Sequence, residues 1–460
     1  MSHSFRLRRA ILFLGPITAL LLLLAGIIAY KMPANAHGAG AKTLYVGHTI
    51  GNDTGCSSPG YTSVQAAVDA ANPGDVVYLC GTTPYAEQVI ITKSITLTGD
   101  HGATIAAPNP FPSTSPSRLP PQFTNDNLFV PQAIVFVWGA GVNVNIKNLI
   151  VTGPLPGNGG CANDEFGVLV IDGAKATLTG DTVSNIKDIN SALYGCQFGV
   201  AIQVGREYWP TANFSTYVTE DFVGHAIIKN TTVFSYQKNG ITVDGPGSTA
   251  DISGGTISGF GQTNVIAQNG IQISRGAFAQ VEGTTVKGNQ YTGTGGASST
   301  GILVYGGSCD GPATPLTVKT KILNDTLQNN DIGIALFNAI LDGNNDCSLP
   351  TTPTSILASE NHITDSVVSN VSGTNLFNYP GGYQAGISDE GYGDKMNGNR
   401  ICGVGYTPIP NPPPYLSNID VAATNPIVEN NKSCNSKQSA SASAQTKTSS
   451  RLHSSARPAK

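Results

Sequence analysis

Residues 239–288 read NGITVDGPGSTADISGGTISGFGQTNVIAQNGIQISRGAFAQVEGTTVKG, and one short pattern occurs twice within them. Asn239-Gly240-Ile241-Thr242-Val243 returns as Asn269-Gly270-Ile271-Gln272-Ile273, and Ala250-Asp251-Ile252 returns as Ala279-Gln280-Val281. Outward from this pair, the run Gly, branched apolar, any residue, apolar recurs as GVLV from Gly167, GVAI from Gly199, GILV from Gly301, GIAL from Gly333 and a degraded GISD from Gly386. The central intervals are 41, 30, 31 and 32 residues. A second run appears as VNIKNLIVTG, TLTGDTVSN, IIKNTTVFS, DISGGTISG, QVEGTTVKG, KILNDTLQN and NHITDSVVSN, each with Asn, Gly or Asp two or three residues ahead of an apolar pair. Every copy is a short alternating strand, a Gly/Asn corner and a further strand.

A single copy cannot bury its inward side chains, because five residues of strand expose a backbone edge and only two or three apolar groups. Stacked copies can: coils about 4.8 Å apart hydrogen-bond strand to strand, and equivalent residues form ladders. Gly and Asn suit the corners because both tolerate the left-handed conformation. The repetition therefore predicts an all-β parallel β-solenoid.

The two repeated strands, together with YTSVQAAVDAANPGDVVYLCGTTPYAEQVIITKSITLTGD (Tyr61 to Asp100), resemble right-handed parallel β-helix proteins of the pectate-lyase-like superfamily. The resemblance covers roughly residues 43 to 400 and implies a capping helix followed by the first coils. The residues agree independently. Val64, Ala67, Val68 and Ala71 follow helical spacing, Thr62 with Gln65 makes a capping box, and Asn72-Pro73-Gly74 stops the helix. Residues 106–133 and 205–224 break the rhythm and read as loops leaving the coil, on the side where solenoids gather binding insertions.

Composition agrees with strands and turns. The 460 residues include 54 Gly and only 12% charged side chains. Arg6, Arg8 and Arg9 precede an uncharged apolar run from Ala10 to Tyr30, so residues 1–36 read as a targeting segment preceding the β-helix of residues 37–434. Ala34-Asn35-Ala36 fits a signal-peptide cleavage site, while 21 apolar residues also suffice for a membrane anchor. Export follows in either case, to a secreted or membrane-tethered location. Residues 435–460 form a Ser/Ala/Lys tail of disordered composition. Without residues 1–36 there are 21 basic against 29 acidic side chains, and without the tail the middle carries −13. Such a body repels nucleic acid. Nothing in the sequence calls for more than a monomer.

Eight cysteines in an exported chain predict disulfides. Eight allow 105 connectivities. Neighbours in a coiled chain lie close, which favours Cys56 with Cys80, Cys161 with Cys196, Cys309 with Cys347 and Cys402 with Cys434. No C-x-x-C occurs to favour zinc instead.

If Ile241 and Val243 point inward, positions two and four after each Gly point outward. The fourth positions are Ile171, Gln203, Asp244, Ser274, Tyr305, Phe337 and Glu390; the second include Ala201, Thr242, Gln272 and Leu303. Asp244 and Arg275 are then the candidate catalytic pair, with Gln203, Gln272, Tyr305 and Phe337 as candidate substrate-binding residues. A carboxylate and a guanidinium beside amides and aromatics suit sugar binding, or proton abstraction next to a carboxylate. An ion pair within an external side-chain ladder is the competing account.

Other motifs are incomplete. EDFVG (Glu220 to Gly224) matches part of a pectin methylesterase motif at Asp221, but that family's flanking motifs are missing. GHA at His225 lacks the Asn-Thr-Asp and paired Asp motifs of polygalacturonases. Asp342, Asn344 and Asp346 alternate as in a calcium loop, which makes calcium the one cofactor suggested, yet Cys347 stands where the turn Gly belongs and no Glu closes the loop. The expected function is a cell-surface protein that binds and, if an enzyme, cleaves polysaccharide as a lyase or hydrolase. The alternative is a structural or adhesive surface protein without a catalytic centre.

Overall fold

The structure is a computed structural model that describes residues 40–47, 54–112, 131–157, 160–161, 165–206, 222–309, 313–342, 347–370, 382–409 and 414–434. The targeting segment and the tail lie outside these residues. The chain divides into two units, Met1–Lys42 and Thr43–Lys460, and the second holds all the strands described below.

Three long sheets run through that unit. The first begins at Thr43–Val46 and ends at Ile427–Glu429, the second runs from Tyr85–Ala86 to Lys432–Ser433, and the third from Val89–Ile91 to Tyr415–Val421. The chain visits first, second and third sheet in turn, and each strand pairs in parallel with its equivalent one coil before and after; among the described residues the one antiparallel strand pair is Ile332–Leu341 with Cys347–Ser348. Three long parallel sheets fit a right-handed parallel β-helix, the hand that parallel crossover connections take.

Inward side chains form ladders. Ile241, Ile271 and Ile302 stack in register, as do Val243, Ile273 and Val304, and all six are at most 1% exposed. Burying each such side chain is worth roughly 1.5–3 kcal/mol relative to exposure. The Gly column lies at the junction of the second and third sheets. A Cβ on Gly240 would stand 2.5 Å from Ile257 Cγ2, and one on Gly270 2.3 Å from Val286 Cγ1. The column continues through Gly301, Gly333 and Gly386: Gly301 faces the Gly333 carbonyl, Gly333 that of Gly386, and Gly386 that of Asn418.

Between first and second sheets, nine successive corners from Asn148 onward are two residues long. The first residue of each takes a left-handed φ between 50° and 70°: Asn148, Gly180, Asn230, Gly254, Gly283, Asn324, Glu360, Gly398 and Asn430. That requirement explains the repeated Asn and Gly. The second corner residue faces inward and, late in the stack, forms an amide ladder. Asn361 Nδ2 donates to Asn399 Oδ1, and Asn399 Nδ2 to Asn431 Oδ1, both at 2.9 Å.

Three expectations are corrected. The coil containing Gly199 is displaced by two residues, because Ile202 pairs with Ile241; Ala201 therefore occupies the Gly column and Gly199 belongs to the preceding turn, at φ +83°. The last copy of the second run begins too late. Leu357–Ser359 and His362–Thr364 carry its strands, Asn361 its corner, and Val367 is exposed. The helix Val64–Ala70 is capped by Ser63, not Thr62, with Ser63 Oγ accepting from Ala66 N. In place of a local box, Glu87 accepts from the Val64 and Gln65 amides, and Gln65 bonds both backbone groups of Ile90. Val64, Ala67, Val68 and Ala71 are buried, as their spacing predicts.

All four sequential disulfides are present, each spanning 24 to 38 residues. Four disulfides fit an extracytoplasmic protein. Among the described residues no helix is long and apolar enough to cross a membrane, and the apolar run of residues 10–30 lies outside them.

Candidate functional site

The third sheet's outer face carries the predicted residues. Its connections to the other two sheets are the long ones: residues 107–131 lead into a third-sheet strand, residues 205–223 leave one, and Arg206 and Phe222 close the base of the latter as an antiparallel bridge. The bodies of both insertions, including Asp221, lie outside the described residues.

Along the stack this face changes character. At the early coils it is apolar, with Ile90, Phe136, Phe166, Leu169, Ile171 and Phe222 in one buried cluster. At the late coils Leu303, Ile332, Ala335, Tyr383, Ala385 and Tyr415 form another. Tyr383 and Tyr415 stack in parallel at 5.5 Å, and both hydroxyls donate to the Asp420 carboxylate. Burial and then the Asp420 charge hold the Tyr383 hydroxyl well above its ordinary pKa.

The polar middle lies between. Arg275 follows the strand Asn269–Ser274 at φ +54°, a left-handed turn that leaves its guanidinium over the Tyr305 ring, 5.4 Å from the centroid. Its Nη1 donates to Asp244 Oδ1 and Oδ2 at 3.0 and 2.9 Å. Ser274 Oγ donates to Asp244 Oδ1 at 2.7 Å, and Gln272 Nε2 to Ser274 Oγ at 3.0 Å. Gln272 Oε1 accepts from Asn239 and Asn269, and Thr300 Oγ1 donates to Asn269 Oδ1 at 2.6 Å. Charge-assisted bonds of this kind are the stronger ones, and a chain of them fixes each rotamer.

Asp244, Arg275, Gln272 and Tyr305 are thus brought together, and Phe337 is the register neighbour of Tyr305. Gln203 is not in Asp244's row. It pairs with Thr242, and its Nε2 donates to the carbonyl of Gly205, which takes the position beside Asp244. The outward positions are also more buried than alternation alone suggests: Asp244 is 2% exposed, Gln203 4% and Gln272 9%, whereas the Arg275 side chain is 23% exposed. Tyr305 and Phe337 are half-buried. Solvent therefore meets Arg275, Tyr305 and Phe337, with the carboxylate and amides behind them.

Asn239, Asn269 and Thr300 went unassigned from sequence, although the Asn before Gly in both opening repeats was a visible signal. It marks a residue whose side chain turns outward just where Gly240 and Gly270 turn inward. His225 lies on the first sheet against Thr249, away from this site. Asp342 is described but Asn344 and Asp346 are not, and among the described residues no group of three or more His, Cys, Asp or Glu is placed to hold a metal.

No protein-family model matches the chain, and no curated protein matches it. Among solved structures it is similar to the Dettilon tailspike protein, with 12% identity, 85% of this chain and 66% of that chain covered, and a TM-score of 0.43. It spans just under two thirds of the tailspike's length. An alginate lyase from Paenibacillus is 12% identical, with 83% and 99% covered and a TM-score of 0.35. A pectin methylesterase from Aspergillus niger is 10% identical, with 86% and 87% covered and a TM-score of 0.27. The fold itself is read from the chain's own three long parallel sheets, which fit a right-handed parallel β-helix.

Proposed function

We propose that this is an exported, cell-surface β-helix protein that binds polysaccharide along the outer face of its third sheet, with Arg275, Tyr305 and Phe337 as the contact residues. The observation that carries this reading is the Arg275 guanidinium, held over the Tyr305 ring by a buried carboxylate while still reaching solvent. A fixed, partly desolvated cation beside two half-buried rings offers hydrogen bonds to sugar hydroxyls and apolar surface to a pyranose face, at little cost in ordering. Asp244, Ser274, Gln272 and Gln203 set the Arg275 geometry or line the wall behind it. The helix Val64–Ala70 serves as the lid of the first coils, and residues 1–36 carry the chain out of the cytoplasm and are then cleaved or retained as a tether.

Asp244 spends both oxygens on Arg275 and Ser274, which suits binding better than proton abstraction. A glycan array covering uronic and neutral polysaccharides, run beside assays for unsaturated and reducing-end products, tests this. Binding that Tyr305→Ala weakens about tenfold, the equivalent of one aromatic contact, is the expected result. No binding and no turnover across both glycan classes would end the proposal. The same closed network favours a second reading, a structural or adhesive surface protein. A ligand profile unchanged in an Asp244→Ala, Arg275→Ala double variant would select it.

A further inference from the structure

The seam between second and third sheets carries another cation held by aromatic rings. Lys187 Nζ lies 5.3 Å from the centroid of the Tyr194 ring and 5.5 Å from that of Phe260, and the two rings are 6.4 Å apart at a 37° tilt. Three successive coils build this arrangement. The first spends residues 185–199 on the seam, the next only 235–238 and the third 264–268, so the Tyr194 turn reaches across the short connection to the ring of Phe260 two coils on. That turn is fixed from behind. Cys196 is bonded to Cys161, and the buried Gln237 Nε2 donates to the Leu193 and Cys196 carbonyls at 2.8 and 3.1 Å. Phe260 stands in a β-bulge of Thr256–Thr263, where the register slips between Ser258 and Gly261, a device that re-aims a side chain. Lys187, Tyr194 and Phe260 are half-buried, and Val265, whose carbonyl faces Gly195, is exposed.

The charge at this seam is not cancelled in place, unlike that of Arg275. Among the described residues neither Lys187 nor Lys238, the other lysine of these three connections, forms an ion pair, and Lys238 Nζ donates to the Ala267 carbonyl at 2.7 Å. The one acid of the three connections, Asp188, is buried and accepts from Asn190 N. An ammonium without a carboxylate, on a body of net negative charge, attracts an anion, and the ring faces beside it take C–H surface. We propose that Lys187, Tyr194 and Phe260 form a second saccharide site, separate from Arg275 and selective for a sugar unit that carries a carboxylate or a phosphate. The anionic group meets the Lys187 ammonium from its solvent side, and the apolar face of the sugar lies on the open part of the rings. At Arg275 the charge is already spent on Asp244, so an anionic unit gains more at Lys187. That the guest is a sugar rests on the polysaccharide reading above; that it is anionic rests on the seam alone.

The test is calorimetry on the full chain in a non-ionic detergent, which shields the apolar run of residues 10–30. Trigalacturonate, glucose 6-phosphate, maltotriose and inorganic phosphate are titrated into the parent and into Tyr305→Ala, which weakens the Arg275 face. The same titrations are run with Lys187→Gln, Lys187→Arg or Phe260→Ala added to Tyr305→Ala. In Tyr305→Ala one or both anionic sugars are expected to bind about tenfold tighter than maltotriose, with an affinity that falls as salt rises. Lys187→Gln removes that preference, Lys187→Arg keeps it, and Phe260→Ala weakens the anionic sugar about tenfold. Which of the two sugars binds identifies the anionic group. The proposal is overturned if neither anionic sugar binds, if Tyr305→Ala alone abolishes their binding, or if Lys187→Gln and Phe260→Ala both leave it unchanged. Inorganic phosphate that binds as tightly as the sugars also overturns it, because the seam would then hold an anion and no sugar. Anionic-sugar binding that needs Lys187, in a protein whose affinity for every glycan ignores Tyr305→Ala, would remove the Arg275 reading and leave this one standing.

Discussion

Arg275 and Asp244 stand 31 residues apart in sequence and one coil apart in space, and a single guanidinium nitrogen donates to both carboxylate oxygens. The carboxylate is 2% exposed and also accepts from Ser274, so it cannot fall back on water if the guanidinium is removed. Arg275→Ala is expected to cost roughly 2–4 kcal/mol, since it strands a buried charge. The Asp244→Ala, Arg275→Ala double variant should cost less than the two single changes combined. Urea melts of the four proteins check this, and two single variants each within about 0.5 kcal/mol of the parent would show a surface pair.

The Gly column makes a sharper prediction. On Gly270 a methyl would meet Val286 Cγ1 at 2.3 Å and the Gly301 carbonyl at 2.7 Å, with backbone on one side unable to yield. Gly270→Ala is expected to lose about 1–3 kcal/mol from overpacking. Gly60→Ala, with no atom within 4 Å, should fall within about 0.5 kcal/mol of the parent. Equal effects at both sites would contradict the assigned column.

A third prediction concerns pH. Asp389 and Asp394, both buried, lie within hydrogen-bonding reach of one another, and burial followed by the Asp394 charge pushes the Asp389 carboxyl up to about 8. Unfolded, the same group releases its proton near pH 4. Between those values the folded chain binds more protons than the unfolded one. This contribution to stability is therefore present on the acid side and is lost as pH rises through the folded value. Thermal melts should show a higher Tm at about pH 5 than at about pH 8. In Asp394→Asn, Oδ1 can still accept from Thr354 Oγ1 and Ile356 N, while the new Nδ2 donates permanently to Asp389. That variant should flatten the dependence, and an unchanged slope would place its origin elsewhere.

The disulfides supply a fourth. Cys402–Cys434 ties the last two coils of the second sheet across 32 residues. Replacing both with Ser is expected to cost about 3–4 kcal/mol by loop-closure entropy. The loss should appear first as faster hydrogen exchange in Arg400–Cys402 and Lys432–Ser433, ahead of global unfolding. Uniform loss across all coils would argue against local tethering.

Much of this fold could be read from the sequence because a solenoid repeats its own requirements. Gly240 and Gly270 recur since the same clash recurs in each coil, and Asn148, Asn230 and Asn324 recur since each corner opens in the left-handed region. The errors arose where distant residues decide. Gly199 imitates the column, but pairing between Ile202 and Ile241 fixes the register and gives the place to Ala201. Thr62 imitates a cap, but Glu87, more than twenty residues away, supplies the carboxylate that satisfies the helix amides and holds the Ser63 hydroxyl. Alternation assigned the outward side of Asp244, Gln272 and Tyr305 correctly. It could not show that Asp244 and Gln272 are shielded behind Arg275, because shielding depends on the length of neighbouring connections and on an Asn ladder that no single coil displays.

The corners between first and second sheets are held to two residues in nine consecutive coils, while the connections on either side of the third sheet range from one residue to more than twenty. Length is therefore rationed along one seam and free along the others. An added residue at Asn230 or Asn324 would throw every later rung out of step. A graft into residues 245–248 would be carried beside Arg275, where Pro246 already stands next to Gly276. The molecule is a ruler on one side and a mounting rail on the other, and new specificity can be installed on the rail while the ruler keeps time.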